Sequence, residues 1–315
     1  MIIASCPLRV SLFGGSTDNP YFVEEYGRGS VISFTSSLKT YVTITQDKFG
    51  FNREQHKYII NYSRREEVSR IQDIQNEVVR TVLQHFEMPP CQVTLTSDAY
   101  SQGSGLASSS SYTISLIKAC TMFLGLPITD SEACKLAYKL ERIYNPYCGY
   151  QDPYGCGVGG FKRINFMGED CITYEFLSTD LFEHYDMHLV FTGVTRNSKR
   201  ILKAVTENLD KVKPLLETCD EAYYLLSNKS YKCFLNLLNK SWRQKKATST
   251  TIAENETIQI MDSVLDLNKT VLAHRLCGAG NGGFFLTFSK PSTLTIPYES
   301  VKITVGTDGV YGKSI

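Results

Sequence analysis

Ser101-Gln-Gly-Ser-Gly-Leu-Ala-Ser-Ser-Ser-Ser-Tyr112 runs straight into a segment with apolar residues at Ile114, Ile117 and Met122. A Gly/Ser loop that feeds a helix is a natural place for phosphate. Glycine lets backbone N–H groups turn inward at φ values other residues resist, and the first helical turn adds unpaired N–H donors at the positive end of its dipole. Each charge-assisted contact of this kind contributes roughly 1.5–3 kcal/mol, so several together hold a triphosphate without a basic cluster. The loop indeed has no Lys or Arg. Taken alone, the same stretch reads equally well as a solvated turn that caps a helix. The rest of the chain decides between the two.

Outward from the loop, 315 residues with 42% apolar and 21% charged content can bury one large core or two moderate ones. A net charge of +1 gives no electrostatic reason to expect nucleic acid or an anionic membrane as partner, so any anion must be held by local charge. No run has the length of a transmembrane helix, and Met1-Ile-Ile-Ala-Ser-Cys-Pro-Leu-Arg9 lacks the basic and long apolar regions of a signal peptide. A cytoplasmic protein is expected. The ten cysteines include no C-x-x-C and no regular pairing with the five histidines, which indicates scattered thiols in a reducing compartment rather than zinc or disulfides.

Alternation in Tyr41–Thr45 and the short run Tyr58–Tyr62 read as strands. Apolar positions at 68, 71, 74, 78, 82 and 86 predict a helix over 68–86, stopped by Pro89-Pro90 before a strand at 92–96. Helices fit 109–124 and 130–143, and Phe161–Phe166 is strand-like. The second half opens on a strand at 187–192, continues with helices at 197–211, 214–239 and 258–266, and ends in strands at 284–288 and 301–305. The simplest account is an antiparallel α+β chain in two lobes, residues 1–170 and 171–315. Gly155–Gly160 and Gly278–Gly283 both satisfy G-x-G-x-x-G, but each precedes strand-like residues where a dinucleotide fingerprint needs a helix. Gly312-Lys-Ser314 ends like a Walker A motif with a misplaced upstream glycine and no helix behind it.

Three segments read together carry a resemblance. Pro7-Leu-Arg-Val-Ser-Leu-Phe-Gly-Gly-Ser-Thr-Asp18, Gly103-Ser-Gly-Leu-Ala-Ser-Ser-Ser-Ser111 and Cys277-Gly-Ala-Gly-Asn-Gly-Gly-Phe-Phe285 resemble the three ordered motifs of the GHMP small-molecule kinases. Within that family the chain is similar to the D-glycero-D-manno-heptose phosphate kinases in Pro-Leu-Arg, in Thr195 to Lys199, in Lys240 to Lys246 and in Gln151 to Tyr154. The likeness spans nearly the whole chain. It implies a fold of two α+β lobes, the N-terminal one like ribosomal protein S5 domain 2 and the C-terminal one ferredoxin-like, with substrates in the cleft between them. It also implies ATP and Mg²⁺ as cofactors, a sugar or sugar phosphate as the other small-molecule partner, and a monomer or homodimer.

The resemblance further implies roles, residue by residue. Backbone N–H groups of Gly103, Ser104, Gly105, Leu106, Ala107, Ser108 and Ser109 would wrap the ATP phosphates, with a hydroxyl of Ser109, or of Ser108, offered to the metal. Glu141, eleven residues before Asp152, matches the metal-ligand glutamate; a solvated helix face is its bland alternative. Asp152 matches the catalytic aspartate that orients the acceptor hydroxyl and takes its proton, with Arg9 beside it. A neighbouring guanidinium lowers an Asp pKa by about 1–3 units, which is tolerable where positioning and charge neutralisation dominate. The sequence departs from its relatives in Gln151-Asp-Pro-Tyr-Gly-Cys-Gly157, and Asp-Pro also initiates turns.

Sugar recognition would fall to Gly14, Gly15, Ser16 and Asp18, because a carboxylate accepts hydroxyl hydrogen bonds and glycines let a ring approach the backbone. Galactokinase-like members carry Glu-His where this chain has Gly15-Ser16, which argues against galactose. A sugar phosphate would need cations, offered by Arg196, Lys199 and Arg200 and by Arg243, Lys245 and Lys246; the alternative for each cluster is a solvated face. Gly280 would close on the substrate. Trp242 reads as an inter-helix plug. The expected activity is phosphorylation of the anomeric hydroxyl of a heptose 7-phosphate to the 1,7-bisphosphate. The alternatives are a kinase for an unphosphorylated sugar such as fucose or a uronic acid, and an idle sugar- or nucleotide-sensing relative.

Overall fold

The computed structural model describes residues 1–46, 57–99, 103–195 and 198–315. Its first half comprises β1 (Ile2–Phe13), α1 (Pro20–Tyr26), β2 (Gly29–Thr45), β3 (Tyr58–Asn61), β4 (Arg65–Val68), α2 (Glu77–His85), β5 (Gln92–Ser97), α3 (Ser108–Leu124), α4 (Asp130–Tyr144), α5 (Gln151–Gly157), β6 (Phe161–Phe166) and β7 (Ile172–Phe176). The second comprises α6 (Leu181–His184), β8 (Asp186–Phe191), α7 (Ser198–Thr206), α8 (Lys213–Ser227), α9 (Tyr231–Thr248), α10 (Glu256–Leu267), β9 (Ala273–Leu276), β10 (Phe284–Ser289), β11 (Ser300–Ile303) and β12 (Tyr311–Ser314). Among the described residues no helix is long and apolar enough to cross a membrane.

The architecture is α+β with two sheets. The larger runs β12-β1-β2-β5-β3-β4, with β6 and then β7 attached along the other half of β2; the smaller runs β11-β8-β10-β9. β2 is long enough to serve two partners, pairing β6 through Gly29–Phe34 and β5 through Thr40–Thr45. One apolar core lies between the larger sheet and helices α2 to α5, and a second joins Leu8, Val10 and Leu12 to Leu189, Phe234 and Leu286 of the other lobe. A third packs Trp242, Ile258 and Leu265 under Phe285 of the smaller sheet. The division at residue 170 remains a proposal about folding units, and the sheets are not divided there. β7 and β12 follow it in the chain and are hydrogen-bonded into the larger sheet.

The strand β1 contains the detail on which the site depends. Its register against β2 shifts between Pro7 and Arg9, a β-bulge. Before the bulge Ala4 and Cys6 face the helix-side core; after it Leu8, Val10 and Leu12 face the inter-lobe core. Across it β2 spends four residues, Lys39 to Thr35, where β1 spends two, and both strands exchange faces, Val42 and Ile44 lying in the first core and Ile32 and Phe34 in the second, so Arg9 is delivered to the helix side.

Two helical readings change. The apolar spacing over 68–86 is split: β4 ends at Val68, a single 3-10 turn covers Ile71–Asp73, and α2 starts at Glu77 behind the Asn76 cap, whose side chain accepts from Val79 N. The 214–239 pattern is two helices, because Lys229 adopts φ 54 between α8 and α9 and ends the first.

Candidate active site

A cleft of about 1020 Å³, open to solvent, lies where the Gly/Ser loop, the start of α5, α7 and α9 meet. The loop is strained into shape: Gly103, Gly105 and Ala107 all have φ between 60 and 80°, and for Ala107 that conformation costs roughly 1–2 kcal/mol. Protein donors take its carbonyls. Phe284 N donates to Ser104 O at 3.1 Å, Arg9 N to Leu106 O at 3.1 Å and Arg9 Nη1 to Gly105 O at 2.7 Å. A Cβ on Gly283 would stand 2.2 Å from Ser104 O, so the third glycine-rich segment is pressed against the loop. No side chain caps α3, which leaves its first-turn N–H groups for a ligand. Gly103, Ser104, Gly105, Ala107, Ser108 and Ser109 line the cleft, whereas Leu106 turns its side chain into the inter-lobe core.

On the cleft floor the Arg9 guanidinium, almost wholly buried, donates from Nε and Nη2 to Asp152 Oδ1 at 3.0 and 2.7 Å. Asp152 lies in the first turn of α5 with its carboxyl partly open to the cleft. Both guanidinium bonds fall on one oxygen, so Oδ2 is left for another donor.

Asp18 lines the cleft, with its carboxylate already bonded to the protein. It is buried, and its Oδ1 accepts from Ser16 N at 3.0 Å and Gln151 Nε2 at 2.9 Å while Oδ2 accepts from Gln151 N at 3.1 Å. The carboxylate is engaged chiefly in tying the first glycine segment to the start of α5. Burial, together with the charge of Asp152, pushes its pKa up to about 6. Gly149 passes so close that a Cβ there would be 1.9 Å from Asp18 Oδ2. Gly14 does not line the cleft; its Cα packs on β2, where a Cβ would meet Ser30 O at 1.8 Å. Beside Gly15 stands Lys245, buried, whose Nζ donates to Ser16 Oγ at 2.6 Å.

Glu141 is buried on the opposite wall. Ser110 Oγ donates to its Oε2 at 2.8 Å and Thr113 Oγ1 to Oε1 at 3.4 Å. Burial outweighs these bonds and pushes its pKa up to about 8, with the charge of Asp152 acting in the same direction. The serine on Glu141 is thus Ser110; Ser109 Oγ is paired with Tyr144 Oη at 3.3 Å and Ser108 Oγ with Ser104 Oγ at 2.9 Å. Among the described residues no group of three His, Cys, Asp or Glu side chains could cage a metal. A buried carboxylate destabilised as an anion, among hydroxyls on a phosphate-sized cleft, nonetheless suits Mg²⁺, which is commonly held by one or two carboxylates plus substrate phosphates.

The two basic clusters do not converge. Arg196 lies outside the described residues. Lys199 is on the surface of α7 with Glu77 at 3.7 Å, and Arg200 pairs with Glu254. Lys246, one residue and 100° further round α9 than Lys245, bonds Asp262 on the far side of the helix. Gly280 is turned onto Ile252, where a Cβ would come within 2.7 Å, and its neighbours Gly278 and Ala279 line the cleft instead. The sequence reading missed Ser110, Tyr144, Gly149 and Gln151. Ser110 and Gln151 had a signal, since each lies in a segment that carries the resemblance.

The family model described as GHMP kinases N terminal domain matches residues 73–160. D-glycero-alpha-D-manno-heptose 7-phosphate kinase of Campylobacter jejuni is 27% identical over 303 residues, 91% of this chain and 88% of that protein. L-fucokinase/L-fucose-1-P guanylyltransferase of Bacteroides fragilis is 29% identical over 218 residues, 63% of this chain and 22% of that protein. The solved structure of a D-glycero-D-manno-heptose 1-phosphate kinase from Bacteriodes thetaiotaomicron has the same fold, with TM-score 0.76 at 21% identity over 100% of this chain and 99% of that one.

Proposed function

We propose that this chain, which carries the GHMP kinase N-terminal domain and has the fold of that family's structures, is an ATP- and Mg²⁺-dependent sugar kinase. Its most favoured acceptor is the anomeric hydroxyl of a heptose 7-phosphate, giving the 1,7-bisphosphate. The observation that carries the reading is Asp152, clamped by Arg9 at 2.7 Å between the phosphate loop and the Asp18–Lys245 corner of one cleft. There it can address an acceptor and a triphosphate together.

The roles follow from the bonds. Loop and α3 N–H groups from Gly103 to Ser109 hold the phosphates, and Arg9 fixes Asp152 while placing positive charge beside the transferring group. Asp152 Oδ2 orients the acceptor hydroxyl and takes its proton. Phosphoryl transfer passes through a loose transition state, so orientation contributes more than early deprotonation. Glu141, with a hydroxyl from Ser109 or Ser108, would hold Mg²⁺, which neutralises phosphate charge when bound. Lys245, Ser16 and Gly15 form the acceptor's corner, and Asp18 acts there mainly through Gln151.

A second reading has a specific observation behind it. Of the cations expected to meet a sugar's phosphate, only Lys245 lines the cleft among the described residues. An unphosphorylated acceptor such as fucose or a uronic acid fits that arrangement, and one carboxylate would suffice for one lysine. An idle sensor is disfavoured by the intact Arg9–Asp152–Glu141 set. ADP release with Mg-ATP across heptose 7-phosphate, heptose, mannose, fucose, galactose and glucuronate, with phosphorus NMR of the product, separates these cases. Turnover confined to heptose 7-phosphate with a new anomeric phosphate supports the first reading, and turnover with a free sugar replaces it by the second. Binding of ATP with no turnover on any acceptor would overturn both.

A further inference from the structure

Lys162, in β6, is wholly buried without a carboxylate partner among the described residues, an arrangement that calls for an explanation because an unpaired buried ammonium is costly. Its Nζ donates to three backbone carbonyls, Gly155 O at 3.1 Å, Gly160 O at 3.3 Å and Gly159 O at 3.4 Å. These belong to the last turns of α5 and the glycine turn behind it. α5 is seven residues long and contains Pro153, Gly155 and Gly157, so neither length nor propensity holds it in place. External ties must. Val310 N donates to Gly157 O at 3.1 Å, and Gly155 rests on Arg9, where a Cβ would lie 3.1 Å from the Arg9 Cγ.

We propose that Lys162 is a positioning residue for phosphoryl transfer: its buried ammonium gathers the C-terminal carbonyls of α5 and so holds Asp152, at the other end of that helix, in register with Arg9. The inference rests on the reading of Asp152 as the catalytic carboxylate. A cation at a helix C-terminus also opposes the dipole's negative end, which favours the seat it occupies.

The seat is titratable. Burial brings the Lys162 pKa down to about 8. The groups that face it are the thiols of Cys156, Cys134 and Cys6, from α5, α4 and β1. Burial raises all three thiols, to about 12 for Cys156 and higher for Cys134 and Cys6, so they remain neutral while Lys162 titrates. Loss of the proton leaves an amine with two N–H donors for three carbonyls. The sign for stability is opposite to that for activity. The folded pKa lies below the unfolded value of 10.5, so this group's contribution to stability rises with pH between about 8 and 10.5. The hold on α5 weakens over the same range.

The test compares wild-type protein with Lys162→Met and Lys162→Gln by kcat and both KM values at pH 6.5 to 9.5, together with hydrogen exchange of peptide 151–160 corrected for intrinsic rates. We expect Lys162→Met to lose about tenfold to a hundredfold in kcat with KM for ATP and sugar nearly unchanged, the scale of a small misplacement. Its kcat should be flat where the wild type falls above pH 8, Lys162→Gln should recover part of the loss, and α5 amides should exchange faster in Lys162→Met. The wild-type pH series needs no variant and decides the matter if Lys162→Met fails to fold. Unchanged α5 protection, or an alkaline limb that persists in Lys162→Met, overturns the proposal. Absence of turnover in the wild type would sink the kinase reading, while exchange at α5 would still report whether Lys162 holds that helix.

Discussion

Two polar regions flank α9, and they handle charge in opposite ways. On one side Lys245 faces the cleft, where Asp18 and Glu141 are pushed up to about 6 and 8 because burial outweighs their donors. On the other, Trp242 Nε1 at 2.6 Å, His274 Nε2 at 2.9 Å and Lys246 all meet Asp262. Burial works against the Asp262 anion too, but the bonds from His274, Lys246 and Trp242 outweigh it and bring its pKa down to about 2. The back of the helix is a finished network. The cleft contains carboxylates whose charge the protein alone does not compensate, an arrangement that a cation and ligand hydroxyls would complete.

The largest effect that would break this contrast is chemical. Asp152→Asn should lower kcat by about 10³-fold or more while ATP still raises Tm, since the loop does not depend on Asp152 Oδ2. Near-normal turnover would remove Asp152 from the mechanism. Next, Asp262→Ala strands two buried donors, on Trp242 and His274, and removes the partner of the half-buried Lys246, and should cost about 3 kcal/mol in urea unfolding without changing KM for either substrate. A change in KM at wild-type stability would make the back network a second functional region. A finer cut compares neighbours: Lys245→Met should raise the acceptor KM about tenfold and spare ATP, whereas Lys246→Met should leave KM alone and lower Tm.

The smallest effect is a pH signature. A raised folded pKa means stability that is present at low pH and lost as pH rises through the folded value, so without metal Glu141 and Asp18 should make Tm rise as pH falls from about 8 to 5. Asp262, with a lowered pKa, contributes stability above about pH 4 that is lost as pH falls towards 2. Glu141→Gln should flatten the upper part of the Tm curve, and saturating Mg-ATP should do the same in the wild type by favouring the ionised form. A slope that survives Glu141→Gln would place the uncompensated charge elsewhere.

What was legible in the sequence was local. The Gly/Ser loop and its helix could be read because turn chemistry is settled within a few residues, and the resemblance singled out Glu141 and Asp152, both of which line the cleft. The α+β class and most strands followed from alternation. Distance along the chain defeated the rest. That Asp18 braces α5 depended on Gln151, 133 residues away, and the carbonyls around Lys162 could not be foreseen from β6. The equal treatment of Lys245 and Lys246 failed for want of helical phase, since neighbours on a helix point 100° apart. The 68–86 spacing misled because the apolar face it described is shared by a strand, a 3-10 turn and a helix.

The bulge opposite Pro7 to Arg9 is carried by β2 between Lys39 and Thr35, which makes the length of β2 in that short interval a chemical variable. Two residues fewer in that stretch of β2 would let the pair continue as an unbroken ladder, with the same sheet neighbours and nearly the same composition. The Arg9 guanidinium would then face the apolar seam between the lobes, and an aliphatic side chain would take its place beside Asp152. For a lineage accumulating small insertions and deletions, that interval is a place where two codons separate a clamped Arg9–Asp152 pair from a folded bystander.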